Sequence, residues 1–386
     1  MTLIIAREKP SMDINLLLRL MAEKNASDLF FSNGAPPHMK IEGVSTPMGQ
    51  GALPSGAIKN IAYKLMSQKQ IDEFEEEWEQ NFAISVEDIG RFRVNVFMQR
   101  GEVGMVMRHI KSDIPTFESL RLPPVVAKLG MARTGLVLVC GPTGSGKSTT
   151  LAAMIDYRNR RDTSHILTIE DPIEFLHEHK LSIIDQREIG VDTKNYQNAL
   201  KNALREAPDV ILIGEIRDQE AMQYALSFAQ TGHLCLATIH GNNSKQVLER
   251  IRNMIPKEQR SSVMKELSGV LKGIVSQRLV MSQDGKRVAA LEVMMKAPDL
   301  QEIIQKGTLE ELKKAIEKHH MDGMMSFDQS LYNLYKEGII SKDDALRFAE
   351  SRTDLSLQMR LTESGRSPNT DIRKPSAGQP NFKTQL

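Results

Sequence analysis

LVLVCGPTGSGKSTT, residues 136–150, decides the fold. A continuous apolar run breaks into a glycine-rich turn, and a helix-like TTLAAMIDY follows. From Gly141 to Ser148 the turn fits G-x-x-x-x-G-K-[ST]. Glycines let successive backbone N–H groups curl around phosphate oxygens, and the start of the following helix adds its dipole. Lys147 is placed to reach the β- and γ-phosphates, and the Ser148 hydroxyl to ligate Mg²⁺. The expected nucleotide contacts are Gly141, Pro142, Thr143, Gly144, Ser145, Gly146, Lys147, Ser148 and Thr149, with ATP and Mg²⁺ as the ligands.

Working outward, three more short apolar runs follow: Ile166–Ile169, Val210–Ile213 and Leu234–Ile239. Helical segments separate them, which predicts a parallel sheet covered on both faces, an α/β unit. Each run leads into polar chemistry. Thr168-Ile-Glu170-Asp171-Pro-Ile-Glu174 puts three carboxylates at a strand end, suited to holding magnesium-bound waters. Val210-Ile-Leu-Ile-Gly214-Glu215-Ile-Arg217-Asp218 delivers a carboxylate to the same edge of the sheet, beside the phosphates. Gly214 stands where such a strand usually carries aspartate. Glu215 must then serve the metal through water, the attacking water, or both. Glu170 is the alternative for the base, and the residues alone leave the two open. Thr231-Gly-His233-Leu-Cys-Leu-Ala-Thr238-Ile-His240 sets a histidine at each end of one strand, where one could sense phosphate. Neither has helical metal-ligand spacing, so zinc is not expected.

Upstream, residues 11–25 read as an amphipathic helix with Leu16, Leu17, Leu20 and Met21 on one face, capped by Ser11 or Asp13. Leu29–Phe31 and Met39–Ile41 read as strands around a turn at Asn33-Gly34 and Pro36-Pro37. Residues 55–80 read as helices, the second with a solvated acidic face from Asp72 to Glu79. From Asn81 the period changes to two, through Phe82–Ile84, Arg91–Phe97 and Gly104–Arg108, as in half-buried antiparallel strands. The chain thus divides into a small α+β domain at 1–112, a linker at 113–122 and a larger unit at 123–360. Helical patterns run from Lys245 to about Ser351, with a strand-like LEVMM among them. The polar stretch 361–386 is expected to be a disordered tail.

Composition agrees. A chain of 386 residues exceeds one core and suits two. Lys+Arg 50 against Asp+Glu 49 leaves +1, which argues against nucleic acid as the main partner. The 2 cysteines, Cys140 and Cys235, exclude a disulfide framework and four-cysteine zinc sites. They read as core residues, as do methionines in strand-like runs such as Met105, Met107, Met294 and Met295. No apolar run approaches a membrane span, and residues 1–10 are too short for a signal-peptide core. A cytoplasmic protein that meets a membrane only through partners is expected.

GPTGSGKSTT, TIEDPIE, IGEIRD and TGHLCLATIH, in this order and spacing, resemble the Walker A, Asp box, atypical Walker B and His box of the secretion and type IV pilus ATPases. ASDLFFSNGAPPHMKIEG and RFRVNVFMQRGEVGMVMRHI resemble the amino-terminal domain of that family, so the likeness spans roughly residues 11–355. Within it the chain is most similar to the short retraction-type members, the PilT/PilU family. The resemblance implies a RecA-like P-loop domain after a PAS-like α+β domain, a homo-hexamer hydrolysing ATP, and ATP at the junction of the two domains. Domain closure about residues 111–122 would then do mechanical work on an inner-membrane platform protein (PilC-like) at the inner face of the inner membrane. It also implies that Arg93 and Arg108 reach the nucleotide phosphates, and that His240 belongs to the site with Glu170 and Glu215. Pro298–Lys306 departs from the family's Ala-Ile-Arg-Asn-Leu-Ile-Arg-Glu segment, and the polar tail is also unusual; both point to an accessory, PilU-type motor dependent on a PilT-like partner. Asp299, Gln301, Glu302 and Gln305 are expected to change the outer face of that helix, and with it the choice of partner. A nucleic-acid translocase and a non-motor regulatory subunit of a mixed ring are the alternatives.

Overall fold

The computed structural model describes residues 13–41 and 43–363. The chain opens with α1 (Ile14–Glu23), β1 (Asp28–Phe31), β2 (His38–Ile41) and β3 (Val44–Pro47). It continues through α2 (Ala57–Leu65), α3 (Gln68–Glu77), β4 (Glu79–Val86), β5 (Gly90–Gln99) and β6 (Glu102–Ile110). The six strands form one antiparallel sheet in the order β3-β2-β1-β6-β5-β4. Alternation along β5 explains its place: Phe92, Val94 and Val96 are buried, and the arginines between them face away. The Asp13 carboxylate caps α1 by accepting from Asn15 N–H at 3.0 Å. The buried face of α1 is Leu17, Leu18 and Met21, whereas Leu16 is 56% exposed. This corrects the expected face: a period of 3.6 allows either leucine set, and packing on the sheet selects the one containing Leu18. Ser11 and the rest of 1–12 lie outside the described residues.

The second unit carries α4 (Pro124–Gly130), β7 (Gly135–Cys140), α5 (Lys147–Asn159), β8 (His165–Glu170), β9 (Ile183–Glu188) and α6 (Tyr196–Ala203). Then come β10 (Val210–Ile213), α7 (Gln219–Gln230), β11 (Leu234–Ile239), α8 (Ser244–Met254) and α9 (Arg260–Val270). β12 (Leu271–Met281) and β13 (Arg287–Met295) follow, with α10 (Pro298–Lys306), α11 (Leu312–Lys318), α12 (Phe327–Lys336), α13 (Lys342–Phe348) and α14 (Arg352–Glu363) last. The seven-stranded sheet runs β13-β12-β7-β11-β10-β8-β9, parallel except for β13. All six residues of β7 are buried, as a strand covered on both faces requires. Cys140 and Cys235 are buried in it, and burial pushes the Cys140 thiol up to about 12. Met105, Met107 and Met294 fill core positions as expected.

Three expectations need correction. Helical patterning does not run unbroken from Lys245 to Ser351: the β12–β13 hairpin adds two strands beside β7. No loop separates α9 from β12, so nothing in the local sequence announces the change. The tail does not begin at 361. α14 continues to Glu363, whose carboxylate accepts from the Tyr335 hydroxyl at 2.7 Å and pairs with Lys342 at 2.8 Å; residues 364–386 lie outside the described residues. The third concerns α10. Leu300, Ile303 and Ile304 are buried as expected, but the polar residues are tied into the subunit. The amides of Gln301 and Gln305 donate to Ser268 O and Oγ, both at 2.9 Å, and His319 Nε2 meets Asp299 Oδ1 at 2.9 Å. Only Glu302 stands apart, paired with Lys306 on its own helix. The substitutions therefore fasten the helix more than they recolour its surface.

The stretch after β6 is also less free than a tether. Lys111 bridges to Phe175, and Leu176 N–H donates to Lys111 O at 2.9 Å. Phe117 and Leu122 are buried against the second core, with Phe117 edge-on to Tyr157 at 5.0 Å between ring centres.

Candidate active site

The parallel strands set the site. β7, β11, β10 and β8 are neighbours, so their carboxyl ends bring Gly141, His240, Glu215 and Glu170 to one edge in that order. Ligands collect at this edge of an open α/β sheet. The loop from Gly141 to Gly146 leads directly into α5 at Lys147. Its glycines are required by shape. At Gly141 φ is +152°, and a Cβ would stand 2.3 Å from Gln277 O. At Gly146 φ is +87°, and a Cβ would stand 2.8 Å from Gln277 Nε2. Gln277, on β12 and 3% exposed, donates to Ser145 O and accepts from the Thr150 hydroxyl, both at 2.7 Å. The Lys147 ammonium donates to Gly141 O at 3.0 Å and Pro142 O at 3.1 Å. Partial burial lowers its pKa, and Glu215 pulls the other way.

Two glutamates face this loop in different surroundings. Glu170 accepts from the Thr168 hydroxyl at 2.7 Å and from Gln186 Nε2 at 3.2 Å, both on Oε1. Burial pushes its carboxyl up to about 7 against those two donors, with Glu174 and Glu188 adding to the rise. Glu215 is bracketed by Arg217 Nε at 2.6 Å on Oε2 and His240 Nε2 at 2.7 Å on Oε1. Arg217 also reaches Asp171 at 3.2 Å. These groups line a cleft of about 560 Å³ with Lys147, Ser148 and Tyr196. A second cavity, of about 620 Å³, shares Gly146, Thr149 and Leu279 with it and extends to Leu120 and Ala289.

The remaining expected residues sort by position. Ser148 lines the cleft with Thr143, Gly144, Gly146 and Thr149, and Gly141 and Pro142 line a pocket on its His240 side. Ser145 is turned inward and nearly buried. His233 lies at the opposite end of β11, bonded to Thr231 and the Phe228 carbonyl, away from the cleft. Arg93 and Arg108 are cross-strand partners on β5 and β6, and neither lines the cleft of its own chain. The Asp28 carboxylate accepts from Arg108 Nε at 2.8 Å. Arg93 acts electrostatically on Glu188, the last residue of β9. Oxygen donors suited to Mg²⁺ are present in Ser148 and Glu215, and the Glu215 oxygens already engaged by Arg217 and His240 suit contact through water. Among the described residues no group of three or more His, Cys, Asp or Glu is placed to hold a metal ion. Gln277, Gln186 and Tyr196 were not legible as site residues. Their only signal was polarity inside otherwise strand-like or helical runs.

Gly214 has a steric reason to lack the usual aspartate. A Cβ there would stand 2.9 Å from Tyr196 Oη, 3.1 Å from Ile169 O and 3.2 Å from Glu170 Cα. Gly214→Asp should therefore displace Glu170 and lose stability by about 1–3 kcal/mol through overpacking. Denaturant unfolding and ATPase assay of the variant check this. A stable variant with unchanged turnover would contradict it.

The family model described as "Type II/IV secretion system protein" matches residues 12–311. The type IV pilus ATPase PilU of Pseudomonas aeruginosa is 49% identical over 91% of this chain and 92% of its own. The PilT protein of the same organism, described as a type IV pilus retraction ATPase, is 41% identical over 86% of this chain and 97% of its own. Among solved structures, the pilus retraction motor PilT with bound ADP superimposes with a TM-score of 0.84 at 40% identity, covering 90% of this chain and 99% of that one. The likeness thus runs along nearly the whole length, through the smaller α+β unit and the RecA-like sheet, and the chain belongs to the Type II/IV secretion system family as an ATP hydrolase of its PilT/PilU group.

Proposed function

We propose that this ATPase drives retraction of a type IV pilus as a six-membered ring, in an accessory role beside a PilT-like motor. The carrying observation is the meeting of the P-loop, Glu170, Glu215 and His240 in one cleft. Lys147 exchanges its carbonyl partners for the β- and γ-phosphates. Ser148 and, through water, Glu215 would hold Mg²⁺, which would supply positive charge against the phosphate oxygens. The second cavity, on the far side of Gly146, has room for base and ribose. Glu170 is the general base. A carboxyl near 7 is matched to proton transfer at neutral pH, whereas Glu215 is committed to Arg217 and His240. A water gives its proton to Glu170 as its oxygen bonds the γ-phosphorus; the bond to the β–γ bridging oxygen breaks, and ADP leaves.

Arg93 and Arg108 supply positive charge from the first unit. Two arginines directly opposite each other in an antiparallel pair repel. Asp28 offsets the charge of Arg108, and an anion brought up when domains close or subunits meet would be drawn to the charge of Arg93 beside it. The accessory role is supported by the similarity to PilU and by α10, whose polar side chains are occupied within the subunit. Among the described residues no helix is long and apolar enough to cross a membrane. In this reading, contact with the inner membrane runs through a platform protein of the pilus machine.

Hydrolysis and binding assays test the site together. Lys147→Ala should abolish turnover in a folded protein. Glu170→Gln should bind ATP and lose about 10²–10⁴-fold in turnover. Glu215→Ala should also bind, with a loss of about 10²–10³-fold as an electrostatic element is removed. Turnover of the unaltered chain should fall as pH drops through about 7, because Glu170 must be ionised to act. Charge reversal at both Arg93 and Arg108 should cut turnover as well. Wild-type rates in Glu170→Gln or in the double reversal would reject the corresponding role.

The accessory role is tested in cells. With a hydrolysis-dead PilT partner present, this chain should sustain some retraction, read as the number of surface pili. Without any PilT-like partner it should sustain none. Robust retraction by this chain alone would show an independent motor.

A further inference from the structure

Behind the cleft lies a cavity of about 30 Å³, bounded by Ser148 and Ala152 of α5, by Glu170 and His177, and by Thr238. It shares Ser148, Glu170, Gly214 and Thr238 with the cleft, so the two adjoin through these residues. A water needs about 10–15 Å³ of such space and two to four polar partners. The volume here suits one or two waters. Four of the lining side chains are polar, and one has a bond to offer: Nδ1 of His177 is buried with no hydrogen-bond partner among the described residues. A buried ring nitrogen without a partner calls for one.

His177 is also tied to Glu170 through one amide. Gln186 Oε1 accepts from His177 N–H at 2.8 Å, while Gln186 Nε2 donates to Glu170 Oε1 at 3.2 Å and to Phe175 O at 2.9 Å. The Thr168 hydroxyl bonds the same Oε1, which leaves Oε2 to water. We propose that this cavity holds a structural water linking His177 Nδ1 to the Glu170 carboxylate, and that His177 is a positioning residue for Glu170. Burial pushes the imidazole down to about 4, with Asp156 opposing and Lys180 assisting, so the ring is neutral, and with its proton on Nε2 it leaves Nδ1 free to accept. The water donates one hydrogen to Nδ1 and the other to Glu170. That bond fixes the carboxylate's rotation while it receives the proton of the attacking water. His177 thus touches neither substrate nor the reacting atoms. It acts through the water, whereas Gln186 bonds the Glu170 carboxylate directly.

The inference rests on Glu170 as the base, and the experiment separates the two. His177→Phe replaces the ring nitrogens with carbon, and His177→Asn keeps a polar group. A high-resolution crystal structure of the full chain should show a water within hydrogen-bond distance of Nδ1 and Glu170. His177→Phe should lower kcat about tenfold or more, a fraction of what the base itself supplies, with KM for ATP unchanged. His177→Asn should recover most of that loss, at a thermal midpoint equal to that of the phenylalanine variant. Wild-type kcat in His177→Phe while Glu170→Gln is inactive would overturn the inference alone. So would a dry cavity, or an equal loss in both variants accompanied by equal destabilisation. Wild-type turnover in Glu170→Gln would overturn the reading beneath it.

Discussion

The nucleotide end of the molecule depends on one buried amide. Gln277 sits in the middle of β12, where a strand covered on both faces would ordinarily carry an aliphatic residue. Its amide donates to Ser145 O and accepts from Thr150, so donor and acceptor are both used. A buried amide left without partners costs about 1–3 kcal/mol for each unsatisfied group, so the strand and the loop specify each other. The absence of side chains at Gly141 and Gly146 follows from the same contact, because β12 occupies the space. A loop held in this way presents its N–H groups to phosphate without first having to be ordered, the condition under which electrostatic stabilisation is most effective.

From that loop the structure passes to the first unit by a short route. β8 ends in Glu170, and six residues on Leu176 N–H donates to the carbonyl of Lys111, the residue after β6. A parallel connection usually crosses over through a helix. The β8–β9 connection has none, and the first unit docks against it instead. Glu188, at the end of β9, accepts from Ile173 N–H at 3.4 Å and lies in the field of Arg93 and Arg91. Any movement of the first unit is thus felt within six residues of Glu170. Phe117 and Leu122 belong to the second core, so the stretch that joins the two units narrows to residues 111–116.

How much of this was legible follows from where the information sits. Glu170, Glu215 and His240 each end or follow a short apolar strand, and the P-loop has a glycine spacing set by local geometry. Such features can be read in a window of ten residues. Gln277 and Gln186 act across 132 and 16 residues of sequence, beyond any such window, and the bond from His177 to Gln186, 9 residues apart, has no pattern of residue types to announce it. The hairpin β12–β13 was hidden because α9 runs into it without a loop. The face of α1 and the polar side of α10 were misplaced for a common reason. Helical periodicity shows that a residue lies on a stripe, but tertiary packing decides whether Leu16 or Leu18 is covered and whether Gln301 meets water or Ser268.

The most direct measurement is a crystal structure of the full chain with Mg²⁺ and a non-hydrolysable ATP analogue. The account predicts that residues 141–146 keep their backbone path, with Gln277 still bonded to Ser145 and Thr150. Lys147 should move from the Gly141 and Pro142 carbonyls to the phosphates, and a water should stand between Glu170 and the γ-phosphorus. A refolded loop, or phosphates bound away from the edge that carries Glu170 and Glu215, would contradict it.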